Sequence, residues 1–435
     1  MIAKPLGGGG FLPTPRRQHV HVLSNGLTLV AEEMDNVRSV AFSVLVPSGA
    51  STDPEGLDGQ SAILADMLSK GTKHKDAHAL SDAFEEIGVQ KSHSAGLEVS
   101  AFSGVMLSES LKPALPLFRE MLLEPALPES ELESVKQLAL QDLYSIEDDP
   151  ASKVMIELVK RFYPAPFNRS QLGSIEGVTA VTLDTLKSAY KDRYVAGSSV
   201  IAVAGQFNWE DLVLDIEREF GAWGGVTPVP ECGAFGETAA SYHIEKDTQQ
   251  LQIALAFPSV ALGDPDYYAA HLAVGVLSGG MCGRLFVEVR EKRGLVYRVS
   301  ASHSAAKGRG SIMAYAGTTP ERGQETYEVL LSEIRKLKDG IDDEELLRAK
   351  ADLKSRLVMR GEMSASRAGS LSNDWWNLGL LRGLDEIKDQ IERVTARDIF
   401  SYLEKHPVDP VTVVTLGIQS LRIPIANENY LFSGG

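Results

Sequence analysis

Gly279-Gly280-Met281-Cys282-Gly283-Arg284-Leu285-Phe286-Val287-Glu288-Val289-Arg290-Glu291-Lys292-Arg293-Gly294-Leu295-Val296-Tyr297 is the stretch from which the rest of the chain is read. After the glycine pair, Leu285, Phe286 and Val289 fall at i, i+1 and i+4, the apolar face of a short helix. Gly294 suits the left-handed geometry that ends a helix. Leu295 to Ser300 alternates and is rich in β-formers, so a strand follows. Arg290 then lies near a helix end and Tyr297 on the next strand, from where both can face one pocket. A surface arginine and a half-buried strand tyrosine account for the same residues.

Around that stretch the chain reads as a soluble globular protein. Its 435 residues suffice for two or three domains with a sizeable core. A net charge of −16 argues against a nucleic-acid binder, which needs a basic face. It suits solubility, or an acidic surface that attracts basic peptides. Cys232 and Cys282 are the only cysteines, too few for a disulfide framework or a four-thiolate zinc site. A reducing compartment, the cytoplasm, is expected. Residues 1–15, with Gly7 to Gly10 and three prolines, read as a flexible tail without the apolar segment of a signal peptide. No apolar run is long enough to span a bilayer.

The chain is written twice. Pro47 followed by Asp53-Pro54 recurs as Pro258 followed by Asp264-Pro265, 211 residues on. Leu132 and Lys136 recur as Leu346 and Lys350 at an offset of 214, and Val181-Thr182 as Val394-Thr395 at 213. The strand end at Gly205 recurs at Gly417, offset 212. Such regularity implies an internal duplication. The two units are α+β, each a mainly antiparallel sheet covered by helices. They are expected at 16–225 and 241–435, joined by a Pro/Gly-rich linker at 226–240. In the first unit, strands flank the Asn25-Gly26 turn and fill Ser39 to Pro47. Helices are expected from Gly59 to Leu68, Asp76 to Ile87, Glu109 to Leu123, Pro128 to Glu147 and Trp209 to Phe220, with a buried strand at Val200 to Ala204.

The Gly279–Tyr297 stretch closely resembles the Arg/Tyr motif in the C-terminal half of pitrilysin-like zinc peptidases (inverzincins). The similarity is to the subgroup of mitochondrial processing peptidase and its two-subunit bacterial relatives. The resemblance implies two halves facing each other like a clam shell with peptide between them. It implies that Arg290 holds a substrate carbonyl and that Tyr297 donates a hydrogen bond to the oxyanion. Gly279 and Gly280 would let the backbone approach the peptide.

Active members of that family carry His-x-x-Glu-His on a helix of the first unit, two zinc ligands and the general base. Gly56 and Gly59 before it, and Met67-Leu68 and Lys70-Gly71-Thr72 after it, align that helix here without a gap. The histidine positions are Ala62 and Asp66, and the glutamate position is Ala65. The family's paired glutamates, which supply the third ligand, correspond to Gln141 and Asp142. Alanine cannot bind a metal or move a proton. Asp66 and Asp142 read as solvated or lysine-paired, or as a weak site for a hard cation. His74 and His78, at i and i+4, and His19 and His21 read as surface histidines. The edge strand that pairs with substrate in active relatives corresponds to Ser92 to Glu98.

One half thus lacks the chemistry while the other keeps its motif. The resemblance implies a subunit with no independent activity that completes a heterodimeric zinc metalloendopeptidase. Its partner would be a homologous catalytic chain with an intact His-x-x-Glu-His, and zinc is expected there and not in this chain. The alternative is a structural or scaffold member of the family with no role in proteolysis. A self-sufficient hydrolase with a relocated site is a third reading.

Overall fold

The computed structural model describes residues 16–231, 233, 240–409 and 411–424. The expected tail at 1–15, Cys232 and most of the linker's second half lie outside the described residues.

Eleven described strands form two sheets. The first holds β1 (Arg17–Val22), β2 (Thr28–Glu33), β3 (Ser39–Val46), β4 (Gln90–Ala95), β5 (Ser100–Leu107) and β6 (Val200–Gly205), in the order β1-β2-β6-β3-β5-β4. The second holds β7 (Ala240–Glu245), β8 (Leu251–Ser259), β9 (Val296–Ala306), β10 (Arg309–Thr318) and β11 (Thr412–Gly417), in the order β7-β11-β8-β10-β9. Setting β1 aside, the two orders are one pattern. Both sheets are antiparallel except for a single parallel pair in the same place, β2 with β6 and β7 with β11. Even the register repeats: Thr28 pairs with Val200 and Glu33 with Gly205, while Ala240 pairs with Thr412 and Glu245 with Gly417. The duplication legible in the sequence is therefore carried into the hydrogen-bond ladders.

The central strands are buried on both faces. β6 (VIAVAG) and β11 (TVVTLG) have no exposed residue. Strands buried along their whole length need a layer on each side. One face of each sheet is covered by helices of its own half, which build the two large cores. The other face is covered by a helix from the opposite half. Pro150–Phe162 places Val154, Leu158 and Phe162 on Ala254, Ala256, Val414 and Leu416 of the second sheet. Ser364–Leu378 places Ala368 and Leu371 on Val30, Ala41, Leu45 and Ala202 of the first. The spacing of Val154, Leu158 and Phe162 at i, i+4 and i+8 makes one apolar stripe. Asp149 starts that helix by accepting from the backbone N–H of Ala151 and Ser152, with Pro150 at the first position.

Buried charges lock the exchange. Arg367 donates from Nε and Nη2 to the two carboxylate oxygens of Glu32 at 2.9 and 2.5 Å, and Arg16 adds a contact at 3.2 Å. Burial alone would raise the Glu32 carboxyl, but Arg367, with Gln18 and Arg16, holds it below the usual range. Arg309 Nη2 also donates to Glu98 Oε2 at 2.6 Å, joining the β4–β5 loop of one half to the start of β10 in the other.

Candidate functional site

The Tyr267–Ser278 helix is apolar and sinks Ala270, Leu272, Ala273 and Leu277 into the second core. It ends at Gly279, whose Cβ would lie 2.4 Å from the Gly275 carbonyl oxygen. Gly280 follows at φ +82°, a conformation that suits glycine, with open space around it. Both glycines therefore shape the turn. Leu285 and Val289 then anchor the next turn in the core. Arg284 ties it from outside, donating to Glu345 at 2.7 and 2.6 Å and to the Gly340 carbonyl at 2.8 Å.

The short helix expected here is a π-helix over Phe286–Glu291. Lys292 N–H closes on the Val287 carbonyl at 2.9 Å, a five-residue step. Such turns insert one residue into a helix and recur at functional sites. Leu295 N–H bonds the Val289 carbonyl, and Thr318 Oγ1 donates to the Leu295 carbonyl, so the exit into β9 is fixed as well. β9 carries a second irregularity. Val296 pairs with Thr318 and Arg298 with Gly317, leaving Tyr297 as the extra residue of a β-bulge. A bulge re-aims its side chain away from the sheet's alternation. Tyr297 is 79% exposed, where simple alternation suggested a half-buried ring.

The two irregularities bring the pair together. The Arg290 guanidinium carbon lies 5.2 Å from the centre of the Tyr297 ring and 4.9 Å from that of Phe286. Glu288, the acidic neighbour on the same turn, is taken by Lys292 at 2.6 Å and Arg293 at 2.8 Å. Those hydrogen bonds hold its carboxyl below the usual range. Among the described residues Arg290 has no carboxylate partner, so its N–H donors and the exposed Tyr297 hydroxyl are unspent.

The first half differs in kind. Its Gln60–Leu68 helix is started by buried Asp53, which accepts from Gly59 N, Ser61 N and Ser61 Oγ at 2.9, 3.0 and 2.5 Å and faces Arg193 at 3.3 Å. Burial raises the Asp53 carboxyl against these bonds. Further along, Ala62 is half-buried and Ala65 buried, and neither has a donor atom. Asp66 is neither free nor lysine-paired: its Oδ1 lies 2.7 Å from Nε2 of His93 on edge strand β4. Gln141 and Asp142 sit exposed on the Glu129–Glu147 helix. These residues do not fit zinc. Among the described residues no group of three or more His, Cys, Asp or Glu side chains could hold a metal ion. His74 and His78 turn to different carboxylates, Glu124 and Asp82. His19 pairs with Glu33 and stacks on Trp209, and His21 faces Glu217.

A family profile described as Insulinase (Peptidase family M16) matches residues 29–173, and one described as Peptidase M16 inactive domain matches 180–353. The chain belongs to the M16 peptidase family. Its M16 relatives include the uncharacterized zinc protease YmxG of Bacillus subtilis, 29% identical over 384 residues, covering 86% of this chain and 92% of that one. An uncharacterized zinc protease of Rickettsia felis is 27% identical over 411 residues, covering 93% and 98%. Among solved M16 structures, a peptidase M16 inactive domain from Pseudomonas fluorescens superposes with a TM-score of 0.86 at 26% identity, covering 94% of this chain and all of that one. A protease from Helicobacter pylori shares the fold, with a TM-score of 0.85 at 19% identity, covering 93% and 100%. No described helix of this M16 chain is long and apolar enough to cross a membrane.

Proposed function

We propose that this chain is the zinc-site-lacking subunit of a heterodimeric zinc metalloendopeptidase of the processing-peptidase-like subgroup. Its partner is a homologous chain with an intact His-x-x-Glu-His, which brings the metal and the general base. This chain brings Arg290 and Tyr297 from its second peptidase-like half, taken as 241–435, to the partner's site. The observation that carries the reading is their geometry: a π-turn and a bulge converge on two exposed groups with unspent donors. In this role the Arg290 guanidinium holds a substrate backbone carbonyl, fixing the peptide before reaction. The Tyr297 hydroxyl donates to the oxyanion that forms on the scissile carbonyl, an interaction strongest in the transition state. Gly279 and Gly280 leave the backbone bare at those two positions, where a peptide can approach it. The complex is placed in the cytoplasm.

The test begins with affinity purification of the tagged chain from its own cells and mass spectrometry of what it retains. A similar-sized chain bearing His-x-x-Glu-His is expected. In the assembled complex, Tyr297→Phe is expected to lower turnover on the order of 100- to 1000-fold at constant zinc content. Arg290→Ala is expected to lower it as well. Unchanged turnover in both variants, or recovery with structural proteins only, returns the chain to the scaffold reading.

A further inference from the structure

From the geometry around Arg290 we infer that Phe286 is a positioning residue for it, half of an aromatic clamp that orients the guanidinium without consuming its donors. The kinetic consequence rests on the function proposed above; the clamp itself does not.

Leu285 and Val289 bury themselves in the second core, whereas Phe286 stands half-buried beside it, outside that core. Its ring instead supports Arg290, four residues on, at 4.9 Å, while Tyr297 takes the guanidinium at 5.2 Å. Arginine is commonly fixed by a carboxylate, and a bidentate carboxylate occupies two of its five N–H groups. An aromatic face attracts the cation through its quadrupole and leaves the N–H edges open. The surroundings fit that use. Glu288 is already bonded to Lys292 and Arg293, so it does not compete for Arg290. Phe286 touches no reacting atom in this arrangement. It acts through Arg290 by limiting the orientations that the long side chain samples.

The clamp is tested on the full chain labelled with nitrogen-15. The Arg290 Nε–Hε resonance is assigned by its loss in Arg290→Lys. A proton held over a ring face is shielded, so Phe286→Leu is expected to move this resonance downfield and lower its order parameter. Phe286→Tyr, which keeps the ring, is expected to restore both. Phe286→Met, also non-aromatic, is the second variant should the leucine chain fail to fold, and it is expected to behave as leucine. A resonance unmoved in Phe286→Leu or Phe286→Met overturns the clamp. In the assembled complex, Phe286→Leu is expected to lower kcat/KM roughly two- to five-fold, with rescue by tyrosine. A clamp seen by resonance together with Arg290→Ala and Tyr297→Phe complexes of full activity leaves the clamp standing and removes the proposed function instead.

Discussion

Asp66 Oδ1 and His93 Nε2 lie 2.7 Å apart, bridging the Gln60–Leu68 helix to edge strand β4. Asp66 takes the position that the family resemblance assigns to a second zinc histidine, and its carboxylate is already engaged. With Ala62 and Ala65 on the same helix, nothing remains to set a tetrahedral metal site. The purified chain is therefore expected to carry substoichiometric zinc by elemental analysis. Added zinc is expected to leave its melting temperature where it was, since a ligand stabilises only the state it binds. A zinc-dependent rise of several degrees would show a site that these residues do not form. Asp66→Asn removes one half-exposed charge of the pair and is expected to cost no more than about 1 kcal/mol.

Tyr297 is turned outward by the bulge, and its burial contributes little to folding. Tyr297→Ala is expected to change stability by no more than about 0.5 kcal/mol in denaturant titration, as surface substitutions generally do. A loss of several kcal/mol would make the tyrosine a structural residue and weaken its assignment to substrate.

Glu32 and Arg367 form the opposite case, a fully buried bidentate pair between residues 335 positions apart. Arg367→Met strands a carboxylate under the exchanged helix, with Arg16 as its remaining cation. The expected loss is about 3 kcal/mol or more. Unfolding monitored separately in each half is expected to shift in both, because the pair joins the second half's helix to the first half's sheet.

A pH dependence is expected from His303. Burial, with His271 nearby, pushes its imidazole down to about 4. Its Nε2 lies 3.1 Å from Ser259 Oγ and 3.3 Å from the Val260 carbonyl oxygen. The unfolded chain takes a proton near pH 6.5 and the folded chain only near 4, so the unfolded state binds more protons in between. The contribution is complete above pH 6.5 and is lost as pH falls towards 4, up to ~3 kcal/mol. Depression of the Glu32 carboxyl works in the same direction below its ordinary value. His303→Gln is expected to flatten the fall in melting temperature between pH 6.5 and 4.5. Superimposable profiles for the two chains would exclude His303 as the source.

Much of the fold was legible because its signals are local or repeated. The Trp209–Phe220 helix and the Ser39–Val46 strand follow from apolar periodicity and turn residues within a dozen positions. The offset that relates Gly205 to Gly417 reappears as equal register in β6 and β11. The candidate site was only half legible. Arg290 and Tyr297 could be named, but the π-turn and the bulge that join them could not. Both add a residue to a regular ladder, and apolar spacing does not record which carbonyl an N–H chooses. His93 was read as part of an edge strand and its bond to Asp66 was missed.

The amino-acid order by itself determined two copies of one α+β unit, the absence of donor atoms at Ala62 and Ala65, and the presence of an Arg/Tyr pair in the second copy. These are properties of residue identity and spacing. Tertiary structure alone decided which face each exchanged helix covers, that Glu32 meets Arg367, that Asp66 meets His93, and that Arg290 rests between Phe286 and Tyr297. The exchanged helices and the Glu32–Arg367 pair depend on burying apolar surface on both faces of a sheet without leaving a charge unpaired beneath it. That balance is struck between segments far apart in the chain, whereas Arg290 meets Phe286 and Tyr297 through a π-turn and a bulge that residue spacing does not record.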